Sequence, residues 1–298
     1  MKVALQFVGM GVVWGASFFL IKIALDGVSF TQVAWARLVL GAITLGVIAL
    51  VTRSSLPREP IVWFHFVVVA LTYCVFPFLL FAWGEQFVSS SLASIYDAAT
   101  PITTAIFATA VFRVERLHRD QVLGVVVGLI GVLIIVGPWT ITALTGSLLG
   151  QLACIGAVAC YGFSFGYLRR FISQRDIPAT TTAFLNIGIA AVIMVVLTPI
   201  IAWTPVTLNW PVVGSLLALG ALGTGIAYIW NMNVLRAWGP TATSGVTYLV
   251  PVVGVGLGVL LLGDRLGWNE PVGVAVVLIG IVLTQQRLRI VHRAADRG

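Results

Sequence analysis

Long apolar runs, separated by short polar or proline-containing stretches, follow one another along the whole chain. A helix that crosses a membrane needs about 20 apolar residues, and this sequence is punctuated at about that interval. The pattern predicts ten spans, numbered in chain order, at 4–25, 32–52, 61–83, 89–112, 120–138, 147–168, 178–202, 211–235, 239–262 and 270–286. The predicted fold class is therefore an all-α membrane protein with ten transmembrane helices.

The composition supports a membrane environment. Of the 298 residues, 59% are hydrophobic and only 9% are charged, whereas a soluble domain carries about 25% charged residues. The net charge of +7 is too scattered for a phosphate-binding face, so we expect no nucleic-acid partner. Cys74, Cys154 and Cys160 lie in apolar runs without the C-x-x-C spacing of a zinc or redox site, and they are interpreted as packing residues.

The distribution of basic residues predicts the orientation. With the N-terminus in the cytoplasm, 14 of the 17 Lys and Arg residues fall on the cytoplasmic side, leaving Lys22, Arg37 and Arg265 towards the outside. This agrees with the positive-inside rule. An odd number of spans would put the basic tail at 289–298 outside. We therefore expect a multi-pass protein of a bacterial inner membrane with both termini in the cytoplasm.

The two halves of the chain resemble each other at an offset of about 150 residues. Residues 14–18 match 161–165, Pro101 matches Pro251, and residues 115–117 match 264–266. The predicted domains are 1–142 (spans 1–5) and 143–288 (spans 6–10). Because five is odd, the second half must enter the membrane from the opposite face. Inverted repeats of this kind are typical of secondary transporters, in which one half rocks against the other.

The motifs of ATP hydrolysis and of zinc proteases are absent from the sequence. It contains no G-x-x-x-x-G-K-[ST] loop and no H-E-x-x-H motif. The three histidines, His65, His118 and His292, fall at predicted helix ends. We therefore expect no enzyme activity, no cofactor and no metal.

Aromatic and polar side chains distinguish spans 1, 3, 4, 6, 8 and 9 from lipid-facing sequences. The candidate substrate-binding residues are Trp14, Ser17, Phe18, Tyr73, Phe76, Phe78, Tyr96, Tyr161, Ser164, Phe165, Tyr228, Asn231 and Tyr248. The same spans carry Phe81, Thr100 and Thr247, which are not in this set. A buried Tyr or Trp supplies apolar area and a donor, so the set indicates a pocket for a mostly apolar, partly aromatic molecule. Helix packing and interfacial anchoring are the competing interpretation.

Asp97, Arg37 and Lys22 are charged residues inside predicted spans, where ionisable residues are functional candidates. Asp97 is about eight residues into span 4, or roughly 12 Å deep at 1.5 Å per residue. Arg37 lies early in span 2, and Lys22 lies near the outer end of span 1. Asp97 is either a carboxylate that couples protons or binds an amine, or the structural partner of Lys22 or Arg37.

Three prolines lie well inside the predicted spans: Pro77, Pro101 and Pro251. Each removes a backbone hydrogen bond and kinks its helix. Because Pro101 and Pro251 occupy matching positions of the two halves, they are candidate hinges. Static kinks are the alternative interpretation.

Several of these residues carry a family resemblance. Residues 14–18 in span 1, Arg37 in span 2, residues 90–101 in span 4 and Glu115-Arg116-Leu117 before a glycine-rich span 5 resemble the drug/metabolite transporter superfamily, EamA type. Pro251 and residues 263–266 resemble it again. The resemblance implies ten helices in two repeats and a central cavity lined by spans 1, 3, 4, 6, 8 and 9. Within the superfamily the chain is most similar to exporters of aromatic and neutral amino acids of the YddG type.

The leading functional hypothesis is a monomeric secondary transporter that exports aromatic or neutral amino acids and related metabolites by alternating access. A broad exporter of drugs or quaternary cations is an alternative, because such sites combine an aromatic cage with an acidic group. A channel is a second alternative, since an inverted repeat does not exclude one.

Overall fold

The structure, a computed structural model, describes residues 2–88, 93, 96–136, 148–201, 204–253, 257 and 268–284, and helices are the only regular secondary structure among them. The α-helices are α1 (Lys2–Leu25), α2 (Phe30–Val51), α3 (Pro60–Val69), α4 (Phe76–Gly84), α5 (Thr100–Ile106), α6 (Arg119–Val136), α7 (Leu148–Phe171), α8 (Ala179–Ile201), α9 (Trp210–Leu217), α10 (Ala227–Trp238), α11 (Pro240–Ser244) and α12 (Asn269–Thr284). The π-helical segments are Ala70–Val75, Phe107–Val111 and Ala218–Ile226, and a 3-10 turn, Gly245–Tyr248, follows α11.

Six continuous helical segments are long and apolar enough to cross a membrane, when α3 with α4 and α9 with α10 are each counted as one segment through their π-helical joints. They correspond to predicted spans 1, 2, 3, 6, 7 and 8. Thr100–Val111 and Pro271–Leu283 are shorter apolar helices within spans 4 and 10. Helices suit the bilayer because they satisfy every backbone group within the segment. The all-α class is confirmed, whereas the total of ten spans stays a prediction. The boundary at 142/143, the motif at 263–266 and the tail at 289–298 lie outside the described residues.

The loops gather at two ends of the helix bundle. One end, called the basic end, holds loops 52–59, 112–118 and 172–178 with their arginines. It is tied together by an ion pair of Arg175 with Glu59 at 2.7 Å and by hydrogen bonds from Thr241 to Glu115. The opposite end holds loops 26–29, 85–88 and 204–209, where the amide of Thr207 donates to the carbonyl of Gly27 at 2.8 Å. The helices therefore alternate in direction, as successive membrane spans must.

Helix contacts come in matched pairs. The contact of α1 with α10 (spans 1 and 8) matches the contact of α7 with α4 (spans 6 and 3). The contact of α7 with α5 (spans 6 and 4) likewise matches that of α1 with the 3-10 turn (spans 1 and 9). α2 packs on α8 and α6 on α12, each pair combining the same position of the two predicted halves. When spans 1–5 are exchanged with spans 6–10, each of these contacts therefore becomes another contact of the same set.

The contact between α6 and α12 depends on glycine. A Cβ atom on Gly280 would lie 2.5 Å from the backbone nitrogen of Gly128, and one on Gly131 would lie 2.6 Å from that of Val277. Small residues allow two helix backbones to approach closely in a membrane. The glycine-rich sequence of span 5 is thus a packing feature.

The irregular segments also fall at matching positions. The π-helical segment Ala70–Val75 joins α3 to α4, and Ala218–Ile226 joins α9 to α10 in the equivalent span of the second half. Pro101 lies in the first turn of α5, directly after a turn at 98–99. Pro251 lies directly after the 3-10 turn, in the helical stretch 249–253. Spans 4 and 9 are therefore both interrupted just before their prolines, and the hinge role of these prolines stays a prediction.

Candidate functional site

A cavity of about 70 Å³ lies between the two predicted halves, in the part of the bundle away from the basic end. Its walls are Trp14, Ser17, Phe18, Ile21, Arg37, Tyr73, Phe78, Phe81, Asp97, Thr100, Tyr161, Phe165, Tyr228 and Thr247. In α1 these residues occupy the second half of the helix, nearer to the opposite end. Lys22, the residue after Ile21, lines a second pocket at that end together with Asp26. The cavity is thus placed to open towards the opposite end.

Aromatic rings form most of the cavity wall. The ring of Tyr73 lies 5.3 Å from those of both Phe165 and Tyr228. The ring of Trp14 meets Tyr228 edge to face at 6.0 Å. Edge-to-face and tilted contacts at these distances are favourable and fix the rings relative to one another. The wall is therefore a rigid, mostly apolar surface.

Irregular backbone holds two of these rings in place. The indole nitrogen of Trp14 donates to the carbonyl of Gly223 at 2.9 Å. That carbonyl is available because the π-helical segment directs the amide of Ala227 to Leu222 instead. The hydroxyl of Tyr228 donates to the carbonyl of Tyr73 at 3.4 Å. Pro77, four residues further on, has no N–H to offer this carbonyl.

A second aromatic layer separates the cavity from the basic end. The ring of His65 stacks on Phe171 at 4.8 Å, and its Nδ1 lies 2.7 Å from the hydroxyl of Tyr167. Phe112 packs edge to face against Tyr167 and Phe163. With the Arg175–Glu59 ion pair beyond them, these rings close the bundle on the basic side.

Arg37 is held by one hydrogen bond and one ring, and its terminal nitrogens remain available. Its Nε donates to the hydroxyl of Thr224 at 2.9 Å. Its guanidinium carbon lies 4.1 Å from the centre of the Phe78 ring, a cation–π geometry that favours the charged group. Within the described part of the chain, no acceptor is bonded to Nη1 or Nη2. The guanidinium can therefore present its terminal N–H groups to a ligand in the cavity.

Asp97 faces the same cavity and is buried, with 7% of its surface exposed. Its Oδ1 accepts a hydrogen bond from Thr100 at 3.4 Å. Considering only the described residues, no Lys or Arg nitrogen lies within 4.0 Å of its carboxylate. The predicted structural pair with Lys22 or Arg37 is thus not formed: Lys22 lines the separate outer pocket. The cavity holds one cation and one anion that do not neutralise each other by contact.

The other predicted site residues divide between cavity and packing. Trp14, Ser17, Phe18, Tyr73, Phe78, Tyr161, Phe165 and Tyr228 line the cavity as predicted, together with Arg37 and Asp97. Five do not.

These five have identifiable positions elsewhere. Phe76 points away from the cavity, with 46% of its surface exposed on the outside of the bundle. The Tyr96 hydroxyl donates to Gln151, and Ser164 donates to Thr72. Asn231 is fully buried beside Tyr73, and the hydroxyl of Tyr248 donates to a backbone carbonyl of α6.

Four lining residues were missing from the predicted site. Phe81, Thr100 and Thr247 lie in spans that were expected to line a cavity, so the sequence indicated the correct spans. It did not indicate which side of each helix faces the cavity. Ile21 gave none, because an aliphatic residue in an apolar helix is indistinguishable from a lipid-facing one. The described residues also contain no group of three His, Cys, Asp or Glu side chains that could hold a metal ion.

Comparison with known proteins gives consistent matches over the whole chain. The EamA-like transporter family matches residues 1–137 and again residues 148–285. The uncharacterized transporter YoaV of Bacillus subtilis is 24% identical over 95% of this chain and 96% of its own length. A probable amino-acid metabolite efflux pump of Escherichia coli is 23% identical over 93% of both chains. A solved crystal structure superposes with a TM-score of 0.76 at 18% identity, covering 96% of this chain and 98% of the other.

Proposed function

The chain belongs to the EamA-like transporter family, so it is a multi-pass inner-membrane transporter, and we propose that it exports neutral, chiefly aromatic, amino acids as zwitterions by alternating access. One observation carries the substrate class: Arg37 and Asp97 present opposite charges to the same aromatic cavity without pairing with each other.

An unpaired charge inside a membrane is unfavourable by about 2.5–3.5 kcal/mol even on insertion-based scales. Two such charges in one cavity therefore favour a ligand that satisfies both. The carboxylate of an α-amino acid fits the terminal N–H groups of Arg37, since guanidinium binds carboxylate through two parallel hydrogen bonds. The ammonium of the same molecule fits the free oxygen of Asp97. A zwitterion brings both groups at zero net charge.

The remaining wall suits an apolar side chain. Phe18 and Phe81 meet edge to face at 5.9 Å, and Tyr73, Phe165 and Tyr228 contribute three further rings. The name of the Escherichia coli relative, a probable amino-acid metabolite efflux pump, supports this substrate class.

The direction and topology are part of the proposal. The arginine-rich basic end is the cytoplasmic end by the positive-inside rule, which puts both termini in the cytoplasm and the described cavity towards the outside. The duplicate family match, at 1–137 and 148–285, supports two repeats. The exchange-invariant helix contacts support a two-fold relation between those repeats. The direction of α7, which ends at the basic end where α1 begins, supports their inversion.

Competition in proteoliposomes tests the zwitterion. Phenylalanine uptake is measured against phenethylamine, which lacks the carboxylate, and phenylpropanoate, which lacks the ammonium. Each analogue loses one charge-assisted contact of about 1.5–3 kcal/mol, so each should compete roughly 10- to 150-fold more weakly than unlabelled phenylalanine. Uptake that is saturable and accelerated by counter-substrate is expected of a carrier. Linear, unsaturable flux would identify a channel instead.

A cation exporter is the second candidate, favoured by a single observation: Asp97 shares the cavity with the Trp14, Tyr161 and Tyr228 rings. An acid within an aromatic cage is a recognised site for ammonium groups. If phenethylamine competes as well as phenylalanine does, the substrate is recognised through its cation alone and the zwitterion proposal is wrong.

A further inference from the structure

Two fully buried asparagines have side-chain NH2 groups without hydrogen-bond partners in the described structure. Both side-chain polar atoms of Asn186, in α8, lack a partner. Asn231, in α10, accepts a hydrogen bond from the Tyr73 hydroxyl at 3.0 Å, but its Nδ2 donates to nothing. Both residues have 0% of their surface exposed. Buried polar groups are nearly always bonded, so an apolar residue would suit these positions better in this conformation alone.

The repeat assigns each of these residues a counterpart in the first half. α2 begins at Phe30 and α8 at Ala179, an offset of 149 residues that places Asn186 opposite Arg37. The contact of Gly9 with Trp230 is repeated by that of Gly156 with Leu80, so Trp230 matches Leu80 and Asn231 lies opposite Phe81. Arg37 and Phe81 both line the cavity. Each unsatisfied amide thus corresponds to a residue that faces the cavity in the described form.

Most of the other lining residues also have counterparts that follow from the repeat. Pairs near the middle of the bundle line the cavity together: Trp14 with Tyr161, Phe18 with Phe165, Phe78 with Tyr228 and Asp97 with Thr247. Three lining residues nearer to the opposite end have counterparts that do not line the cavity: Ile21 with Leu168, Arg37 with Asn186 and Phe81 with Asn231. These three counterparts have 0% of their surface exposed. In the described form the cavity is therefore open towards the opposite end and closed towards the basic end.

We propose that Asn186 and Asn231 line the cavity when it opens to the basic end, where they bind the substrate on its uptake side. This rests on the alternating access proposed above, because in an inverted repeat each half adopts the conformation of the other when access is reversed. In that form the counterparts of Arg37 and Phe81 become the exposed wall. Each amide NH2 group then becomes available as a donor to the substrate carboxylate.

The uptake and release sites differ chemically in consequence. On the release side the carboxylate meets the guanidinium of Arg37, and on the uptake side it meets neutral amides at the positions of Asn186 and Asn231. Opening to the basic end also removes the penalty of burying unbonded amides. The two residues therefore favour the uptake form relative to a chain that carries apolar residues there.

Cysteine accessibility tests the placement directly. In a variant without the native cysteines (Cys74→Ala, Cys154→Ala, Cys160→Ala), Asn186→Cys and Asn231→Cys are exposed to a charged, membrane-impermeant thiol reagent in inside-out and right-side-out vesicles. Ile187→Cys and Met232→Cys are matched controls one residue further on. They are equally buried, and their counterparts Leu38 and Ala82 are buried without lining the cavity.

The reagent should modify the two test positions from the cytoplasmic side at least about tenfold faster than the controls, since minor conformations are commonly populated at about 0.1–10%. Phenylalanine should slow that reaction. Equal rates at test and control positions would overturn the inference, and they would be expected if internal water alone satisfied the amides.

A second measurement does not depend on cysteine. Asn186→Leu, of similar volume, should keep phenylalanine binding from the outer side while reducing the rate of transport at least about tenfold, because the uptake form loses its polar contact. Unchanged transport would contradict the inference. If the parent protein transports phenylalanine but neither amide becomes accessible, this inference fails and the proposed function stands. If the parent neither binds nor transports phenylalanine, the proposed function fails, while the labelling rates still decide the placement.

Discussion

Arg37→Gln isolates the contact on which the substrate proposal depends. Glutamine keeps a long polar side chain that can reach the Thr224 hydroxyl, but it removes the positive charge and the pair of terminal N–H groups. Thr224 is also fixed independently, because its hydroxyl donates to the carbonyl of Leu219 at 2.9 Å. The substitution should therefore change ligand binding more than it changes the local fold.

The size of the effect follows from the geometry. Hydrogen bonds to a charged group contribute about 1.5–3 kcal/mol, which corresponds to roughly 10- to 150-fold in dissociation constant. Screening by salt reduces this little, because the site is buried and screening acts mainly on exposed charges. The affinity for phenethylamine, which lacks the carboxylate, should not fall, since Arg37 is not one of its contacts and the substitution removes a positive charge that repels its ammonium.

Trp14 lines the cavity, so a ligand-induced change in the tryptophan fluorescence of the purified protein reports binding. Competitive uptake gives an independent value of the affinity.

Lys22→Gln is the matched control. It removes a positive charge at the same end of the protein but from the separate outer pocket. A general electrostatic attraction of anionic groups would be reduced equally by both substitutions. Equal losses in the two variants, or unchanged phenylalanine affinity in Arg37→Gln, would refute the zwitterion argument.

Two further predictions concern packing and facing. Gly280→Ala should destabilise the contact of α12 with α6 by about 1–3 kcal/mol in a thermal unfolding assay, because its Cβ would lie 2.5 Å from a backbone nitrogen of α6. Gly214→Ala is the control: nothing lies within 4 Å of its Cβ position, so it should be neutral or slightly stabilising in the same assay. Tyr248→Phe should lower the unfolding temperature but leave the phenylalanine KM unchanged, because the Tyr248 hydroxyl bonds α6 outside the cavity. Thr247→Val should raise the KM, because Thr247 lines the cavity. The reverse pattern would contradict the observation that Thr247, and not Tyr248, points into the cavity.

The sequence was informative about span positions and residue types, because lipid leaves a strong compositional signature. Arg37 and Asp97 were found as charges in apolar runs, and both line the cavity. The pairing of Asp97 could not be derived, since it depends on distances between spans 1, 2 and 4. The sequence placed Lys22 and Arg37 equally well as partners, and the structure brings neither within ion-pair distance.

Helix facing was the weakest part of the prediction. Phe76 was expected in the site and lies outside, while Phe81 lines the cavity instead. Span 3 is apolar on all sides, so periodicity gives no inward face, because membrane helices have apolar neighbours everywhere. The π-helical segment Ala70–Val75 further rotates the residues that follow it relative to a regular helix. The 3-10 turn at Gly245–Tyr248 has the same effect, and it turns Thr247 rather than Tyr248 towards the cavity.

The two halves differ most in charge. Arg37 and Asp97 both belong to the first half, and their counterparts Asn186 and Thr247 are uncharged. A chain with strict internal symmetry would hold two arginines and two aspartates in the bundle, and each additional buried charge is unfavourable unless it is paired. Loss of charge in the second half leaves one cation and one anion, which is the complement of a single zwitterion. In the proposed function, the repeat therefore sets the shape of the cavity, and the divergence between its copies sets the substrate chemistry that the cavity would bind.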